Sequence, residues 1–271
     1  VDLSRINGLD LFSGIGGISL ALQDYVRPVA YCEIDPYCQG VLLSRMVSGD
    51  LPEAPIWDDI KTLRIQSFDH SIDILYGGFP CQDISIAGNG KGLAGQRSGL
   101  CYEIFRLANE IKPRWLFLEN VPAITTRGGL EVVKEIAKMG YDCRWITITA
   151  SSVGALHKRE RWFLLAHSSS QGLQRFGRWE GVTEKEESKS SGSSEIIPDS
   201  RCISPGSEEK SEWPYNKSSG CSGFWEAESR VGKLADGIHL RVDKLRALGN
   251  SVVPQQVKKA FEILMGIDEN P

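Results

Sequence analysis

The chain has 271 residues, 41% of them hydrophobic and 24% charged, with a formal net charge of -4. This composition excludes a wholly disordered chain and a disulfide miniprotein, and the length suits one large domain with at most a small appendage. No run of about 18 apolar residues offers a membrane span, and no basic stretch followed by an apolar run opens the chain, so neither a membrane nor a secretory signal is predicted.

Strand-like and helix-like segments alternate through the first 165 residues. Leu9-Asp10-Leu11-Phe12 reads as the end of a buried strand, 15–23 as a helix, 29–32 as a strand, and 36–46 as a helix with Pro36 in its first turn. Residues 72–76 read as a strand, 100–111 as an amphipathic helix, 115–118 as a strand, 130–139 as a helix, and 145–149 and 161–166 as strands. This alternation predicts an α/β fold, a mostly parallel sheet with helices on both faces, whose ligands sit at the carboxyl ends of the strands. From 168 to 225 the periodicity is lost, and twelve serines fall among positions 188–222. That composition reads as a flexible insertion. Trp179, Trp213, Tyr215, Phe224 and Trp225 argue instead for a small folded element. Residues 252–265 return to helical spacing.

The charge is unevenly spread. Residues 180–212 carry nine acidic and four basic side chains, net -5, which leaves +1 for the rest. Lys158, Arg159, Arg161, Arg175 and Arg178 face only Glu160 in residues 151–179, so a locally basic face is expected. The seven cysteines include no Cys-x-x-Cys pair, which argues against a disulfide framework or a zinc site and for a reducing cytoplasmic setting.

Five constellations carry chemistry. Asp10-Leu11-Phe12-Ser13-Gly14-Ile15-Gly16-Gly17 sits where a strand turns into a helix, and Glu33 ends the next strand about 20 residues on, a placement that suits ribose hydroxyls. The glycine spacing disfavours a dinucleotide, and a tight turn without a ligand reads equally from the residues. Asp59 is either a third ligand contact or a helix cap. Gly77-Gly78-Phe79-Pro80-Cys81-Gln82 follows a strand and puts a cysteine in a loop, either as a nucleophile or as a packed thiol. Residues 84–99 have the composition of a mobile lid. Glu119-Asn120-Val121-Pro122 ends another strand with a carboxylate that needs a partner or a use. Arg159 and Arg161 fall on one face of an extended segment, suited to a phosphate or a ring carbonyl, or to solvent. Gly249-Asn250-Ser251-Val252-Val253-Pro254 reads as a turn opening the last helix.

In this order the blocks resemble the DNA (cytosine-5) methyltransferase family, over residues 8–166 and 225–265. The resemblance implies an S-adenosylmethionine-binding, Rossmann-like catalytic domain from residues 1–166, completed by 225–271, around a short target-recognition region at 167–224. It implies that Phe12 stacks on the adenine, that Gly14, Gly16 and Gly17 cradle the methionine part, and that Glu33 takes the ribose hydroxyls. Ile34 would cover the other adenine face, Asp59 would read the adenine amino group, and Pro80, Leu100, Asn250 and Val252 would line the same pocket. Cys81 would attack cytosine C6, Glu119 would serve N3 and the amino group, Arg161 would hold O2, and Arg159 would support the loop and the adduct. Gln82, Ser85, Arg97, Arg175 and Arg178 would meet the DNA. No metal is implied. The implied partner is double-stranded DNA, met by a monomer with a companion restriction endonuclease in some settings. The lack of a long amino-terminal extension favours a compact bacterial or phage type. His157 stands where the family more often has Gln. The acidic stretch at 180–212 would repel phosphate, so it is expected to loop away from the duplex. The competing readings are a transfer-RNA cytosine methyltransferase on the same scaffold, disfavoured by the absence of a Cys-Phe-Thr triplet, and a silent DNA-binding homologue, disfavoured by the presence of Cys81 and Glu119.

Overall fold

The computed structural model describes residues 5–64, 71–80, 99–126, 128–168 and 241–267. In chain order these form β1 (Ile6–Leu11), α1 (Gly17–Leu22), β2 (Val26–Cys32), α2 (Pro36–Val47), β3 (Ile56–Trp57), β4 (Ile74–Gly78), α3 (Gly99–Ile111), β5 (Trp115–Asn120), α4 (Gly129–Lys138), β6 (Tyr141–Thr149), β7 (Glu160–Ser168), α5 (Arg241–Asn250) and α6 (Pro254–Met265). The strands make one sheet in the order β3-β2-β1-β4-β5-β7-β6. The first five run parallel, while β7 is antiparallel to both β5 and β6. The α/β expectation holds.

Both faces of the sheet are covered, and β5 shows why. All six of its residues are buried. Leu116 and Leu118 point into a core built with Ile104, Leu107 and Ile136 of α3 and α4. Trp115 and Phe117 point to the opposite face, against Val257, Phe261 and Leu264 of α6 and Leu22 of α1. Two-residue alternation between two apolar layers produces the continuous hydrophobic run seen in the sequence. Phe261 meets Phe117 edge-on at 5.2 Å between ring centroids, a favoured aromatic geometry.

The strand order reverses between β1 and β4, so the crevice for a ligand opens at the carboxyl ends there. Close packing at this point demands glycine. A Cβ on Gly77 would stand 1.9 Å from the Leu11 carbonyl oxygen. The antiparallel β7 adds the decisive register. Its first residues lie beside the last residues of β5, with Asn120 opposite Trp162 and Glu119 opposite Phe163.

Two elements differ from the sequence reading. β3 is only two residues long, too short to leave a periodic signal. The turn read at 249–254 is shorter than expected: residues 241–250 form α5, so Gly249 and Asn250 close one helix, and 251–253 lead into the next at Pro254. Val242, Leu245 and Leu248 of α5 are exposed and only Ala247 is buried, so no core-facing stripe marks the helix.

Beneath the β1–α1 turn lies a buried polar network. Ser19 Oγ donates to Asp10 Oδ2 at 2.5 Å and lies 2.7 Å from Tyr76 Oη. Asp10 is fully buried, and its Oδ1 has no hydrogen-bond partner. Burial raises its pKa to about 7, partly opposed by the Ser19 and Ser13 hydrogen bonds. The native state therefore holds a proton here that the unfolded chain gives up near pH 4, and this group's contribution to stability declines as pH rises through about 4 to 7. Asp10→Asn is expected to gain on wild type, by several degrees in unfolding midpoint, between pH 5 and pH 8. Thermal melts across that range check it, and a midpoint difference independent of pH would sink the assignment.

Candidate active site

A cleft of about 600 Å³ crosses the carboxyl ends of β3, β2, β1, β4 and β5, within the usual size of a small-ligand site. One lobe is built by the turns after β1, β2 and β3. Phe12 has φ of 54°, a left-handed conformation that disfavours a bulky side chain. Strain of that kind persists where surrounding structure enforces it. Glu33 follows β2 and organises the floor. Its Oε2 accepts from Gly14 N at 2.7 Å and its Oε1 from Asp35 N at 2.8 Å. Ile34 lies on the rim with 69% of its surface exposed, an unusual cost for an apolar side chain. Asp59 also lines the cleft, and its Oδ1 accepts from Lys61 N at 3.0 Å. It opens the turn at 60–62, and no helix follows it among the described residues up to 64.

The other lobe lies between β4, β5 and β7. Glu119 is 8% exposed, and Arg161 Nε donates to its Oε1 at 2.8 Å. Burial raises the Glu119 pKa to about 7, against the pull of Arg161 and Arg159. Gly78 leaves the room, since a Cβ there would stand 2.5 Å from Glu119 Oε2. Asn120 Nδ2 donates to the Phe79 carbonyl at 3.0 Å and ties the Phe79-Pro80 segment to the end of β5. Asn120 was named in the sequence only as Glu119's neighbour; this brace needs the three-dimensional pairing of β4 with β5.

Most of the residues named from the sequence meet in this one cleft. Phe12, Gly14, Gly17, Glu33, Ile34, Asp59, Pro80, Leu100, Glu119, Arg161, Asn250 and Val252 all line it. Gly16 does not: a Cβ there would meet Leu51 at 2.5 Å and Leu42 at 2.9 Å, and its φ is 80°. Its glycine serves the turn and the packing behind it. Arg159 is also absent from the lining, and its guanidinium turns to the carbonyl oxygens of Gly249 and Ser251. Cys81, Gln82, Ser85, Arg97, Arg175 and Arg178, and with them nearly all of the expected lid and recognition region, lie outside the described residues. Sequence reasoning missed Arg246, which lines the cleft and faces Asp35 at 3.6 Å. It also missed two backbone clamps. Arg45 donates to the Ile15 carbonyl, and Arg106 to those of Ile60 and Leu63. Neither carries a motif signal.

The first lobe can hold S-adenosylmethionine. Phe12 and Ile34 offer flat or apolar surface to a base. Nothing lies within 4 Å of a Cβ position on Gly14, so the turn is open to a ligand. Glu33, Asp35, Asp58 and Asp59 ring this end with carboxylates, a charge suited to a cationic sulfonium. Among the described cysteines, burial pushes Cys32 and Cys143 up to about 12 and Cys38 up to about 11, so these three are inert thiols.

The strand order and the cleft at its switch point define an α/β fold with a ligand cleft at the carboxyl ends of its strands, and comparison with known proteins gives the family. The profile described as C-5 cytosine-specific DNA methylase matches residues 6–260. The chain belongs to that family. It is 38% identical over 159 residues to the type II methyltransferase M.CviJI of Paramecium bursaria Chlorella virus IL3A, covering 58% of this chain and 42% of that protein. It is 35% identical over 180 residues to the type II methyltransferase M.HhaI of Haemophilus parahaemolyticus, covering 64% and 53%. The chain thus spans about half the length of these curated relatives. A solved structure of a Spodoptera frugiperda DNMT2 mutant matches with a TM-score of 0.52 and 20% identity over 68% of this chain and 56% of that one, a likeness of fold alone. No described helix is long and apolar enough to cross a membrane.

Proposed function

We propose that this chain methylates C5 of a flipped-out cytosine in a specific double-stranded DNA sequence, using S-adenosylmethionine and a covalent adduct between Cys81 and cytosine C6. The single observation that carries the reading is the buried Glu119–Arg161 pair, set at the inner end of the cleft beside Pro80, which Cys81 directly follows. Bound S-adenosylmethionine supplies an electrophilic methyl group. The chain must supply the rest. Cytosine C5 is a poor nucleophile until a thiolate adds to C6 and turns the ring into an enamine. Cys81 forms that bond. Glu119, raised by burial to about 7 and so partly protonated at neutral pH, donates to N3 as charge gathers there. Arg161 holds Glu119 in place and presents its remaining donors to the ring O2. A base then takes the C5 proton, the Cys81 thiolate leaves C6, and the N3 proton returns to Glu119, which restores the aromatic ring. A stacked base is out of reach of such a pocket, so the nucleotide must leave the duplex.

In this reading residues 1–166 and 225–271 form the catalytic domain, and 167–224 reads the target with Arg175 and Arg178, while Gln82, Ser85 and Arg97 meet the DNA over the flipped base. The enzyme acts as a monomer in the cytoplasm, without a metal, with or without a companion endonuclease. Methylation sequencing of DNA from cells expressing the chain tests the whole reading. The expected result is 5-methylcytosine confined to one short motif. Soluble protein that binds cofactor but leaves DNA unmethylated would shift the activity to transfer RNA or remove it.

A further inference from the structure

We infer that Arg159 is a positioning residue of the cofactor wall, distinct in its task from Arg161 of the base pocket. The inference rests on the reading of the first lobe as the S-adenosylmethionine site, and it separates two arginines that the sequence presents as a pair. Arg161 turns to Glu119. Arg159, two residues earlier, sends Nη2 to the carbonyl oxygens of Gly249, at 2.8 Å, and of Ser251. Those carbonyls belong to the end of α5 and the segment just past it. The last carbonyls of a helix have no partner within it, and a cation there also meets the negative end of the helix dipole. Arg159 therefore caps α5 from another element.

The capped segment is a wall of the cleft. Gly249, Asn250, Ser251 and Val252 all line it. On its far side Val252 packs against the start of α1, with its Cγ2 only 2.9 Å from where a Cβ on Gly17 would be. Arg159 is itself anchored from behind. Gln256, fully buried in the first turn of α6, donates through Nε2 to the Arg159 carbonyl at 2.8 Å and to the Ile148 carbonyl at 2.7 Å. The segment between α5 and α6 is thus pinned to the β6–β7 connection by the side chain of Arg159 at one end and by Gln256 at the other. Arg159 also acts electrostatically on Glu119.

Calorimetric titration of S-adenosylhomocysteine in the absence of DNA tests the assignment on wild type, Arg159→Met and Arg161→Met. Arg159→Met is expected to weaken binding by about tenfold or more, the loss of a hydrogen-bonded charge. Arg161→Met is expected to stay within about twofold of wild type and instead to lose capture of 5-fluorocytosine DNA. In turnover, Arg159→Met should raise the KM for S-adenosylmethionine more than it lowers kcat. Unfolding midpoints report whether each variant is folded. Should Arg159→Met not fold, Arg159→Lys against Arg161→Lys is read in the same sense. Wild-type affinity in a folded Arg159 variant, or equal losses in both positions, overturns the inference. Wild-type protein that binds no S-adenosylhomocysteine overturns the cofactor reading itself, and the inference with it.

Discussion

Cys81→Ser is expected to abolish covalent capture of duplex DNA carrying 5-fluorocytosine at the target position, and to lower turnover about 10³-fold or more, while cofactor binding persists. Once a nucleophile has added to C6 and the methyl has reached C5, the ring recovers only by shedding the substituent that C5 carried. Fluorine cannot leave as a cation, so the enzyme stays attached. A serine hydroxyl has far too high a pKa to add to C6 at neutral pH, whereas a thiol supplies thiolate readily. The described alternatives are poor: Cys32, Cys38 and Cys143 are held as neutral thiols by burial, and Cys101 is buried inside α3. The loop that leads into Cys81 is held by the bond from Asn120 to the Phe79 carbonyl, so its start has a defined position beside Glu119. Denaturing gel mobility of the trapped complex gives the readout, with the duplex carrying the motif found by methylation sequencing. An adduct that survives Cys81→Ser removes this residue as the nucleophile. No adduct in wild type, with cofactor bound, favours a silent homologue.

Much of this site was legible because its residues sit at the ends of strands that the hydrophobic pattern exposes. Phe12, Glu33, Pro80 and Glu119 each follow or close a buried run, and an α/β sheet gathers such positions at one edge. What periodicity does not encode is strand direction. Nothing in residues 161–166 says that β7 runs against β5, yet only that reversal sets Arg161 at Glu119. The pairing of Arg159 with Arg161 on one face followed from two-residue alternation. Alternation does not say that the two guanidiniums take different partners, Arg159 at the end of α5 and Arg161 at Glu119. Gly16 was read with its neighbours as a ligand cradle, but its left-handed backbone and its contact with Leu51 serve the turn itself. Arg45, Arg106 and Gln256 are common residues on helices, and their hold on backbone at or behind the pocket depends on contacts 30 to 108 positions away in sequence.

Glu119→Gln is expected to lower turnover by about 10²- to 10⁴-fold, the usual range for loss of a general acid, with S-adenosylhomocysteine affinity within about twofold of wild type. Glutamine keeps the shape and can still donate a hydrogen bond toward N3, but it has no proton to give as the thiolate adds. The same side chain sets a pH signature. Burial raises the carboxyl to about 7, and Arg161 and then Arg159 hold it from rising further. The active form pairs the protonated acid with the Cys81 thiolate, so kcat/KM in wild type should be bell-shaped, with an ascending limb from thiolate formation and a descending limb that requires the Glu119 proton. Glu119→Gln should lose that descending limb along with most of its rate. Arg161→Met, by removing the cation 2.8 Å from Oε1, should move the limb upward in pH. Measuring kcat/KM from pH 6 to 9 on all three proteins decides the matter. A wild-type rate that climbs steadily across that range, or a Glu119→Gln profile with the same descending limb, would show that the proton reaches N3 from elsewhere. The stability sign runs the same way as for Asp10. Glu119 binds a proton in the folded state that it loses near pH 4.5 when unfolded, so this group's contribution to stability also declines as pH rises from about 4.5 to 7. The chain therefore keeps in its cleft a carboxyl that costs stability at neutral pH, and in the proposed reaction the proton it retains there is the one passed to N3.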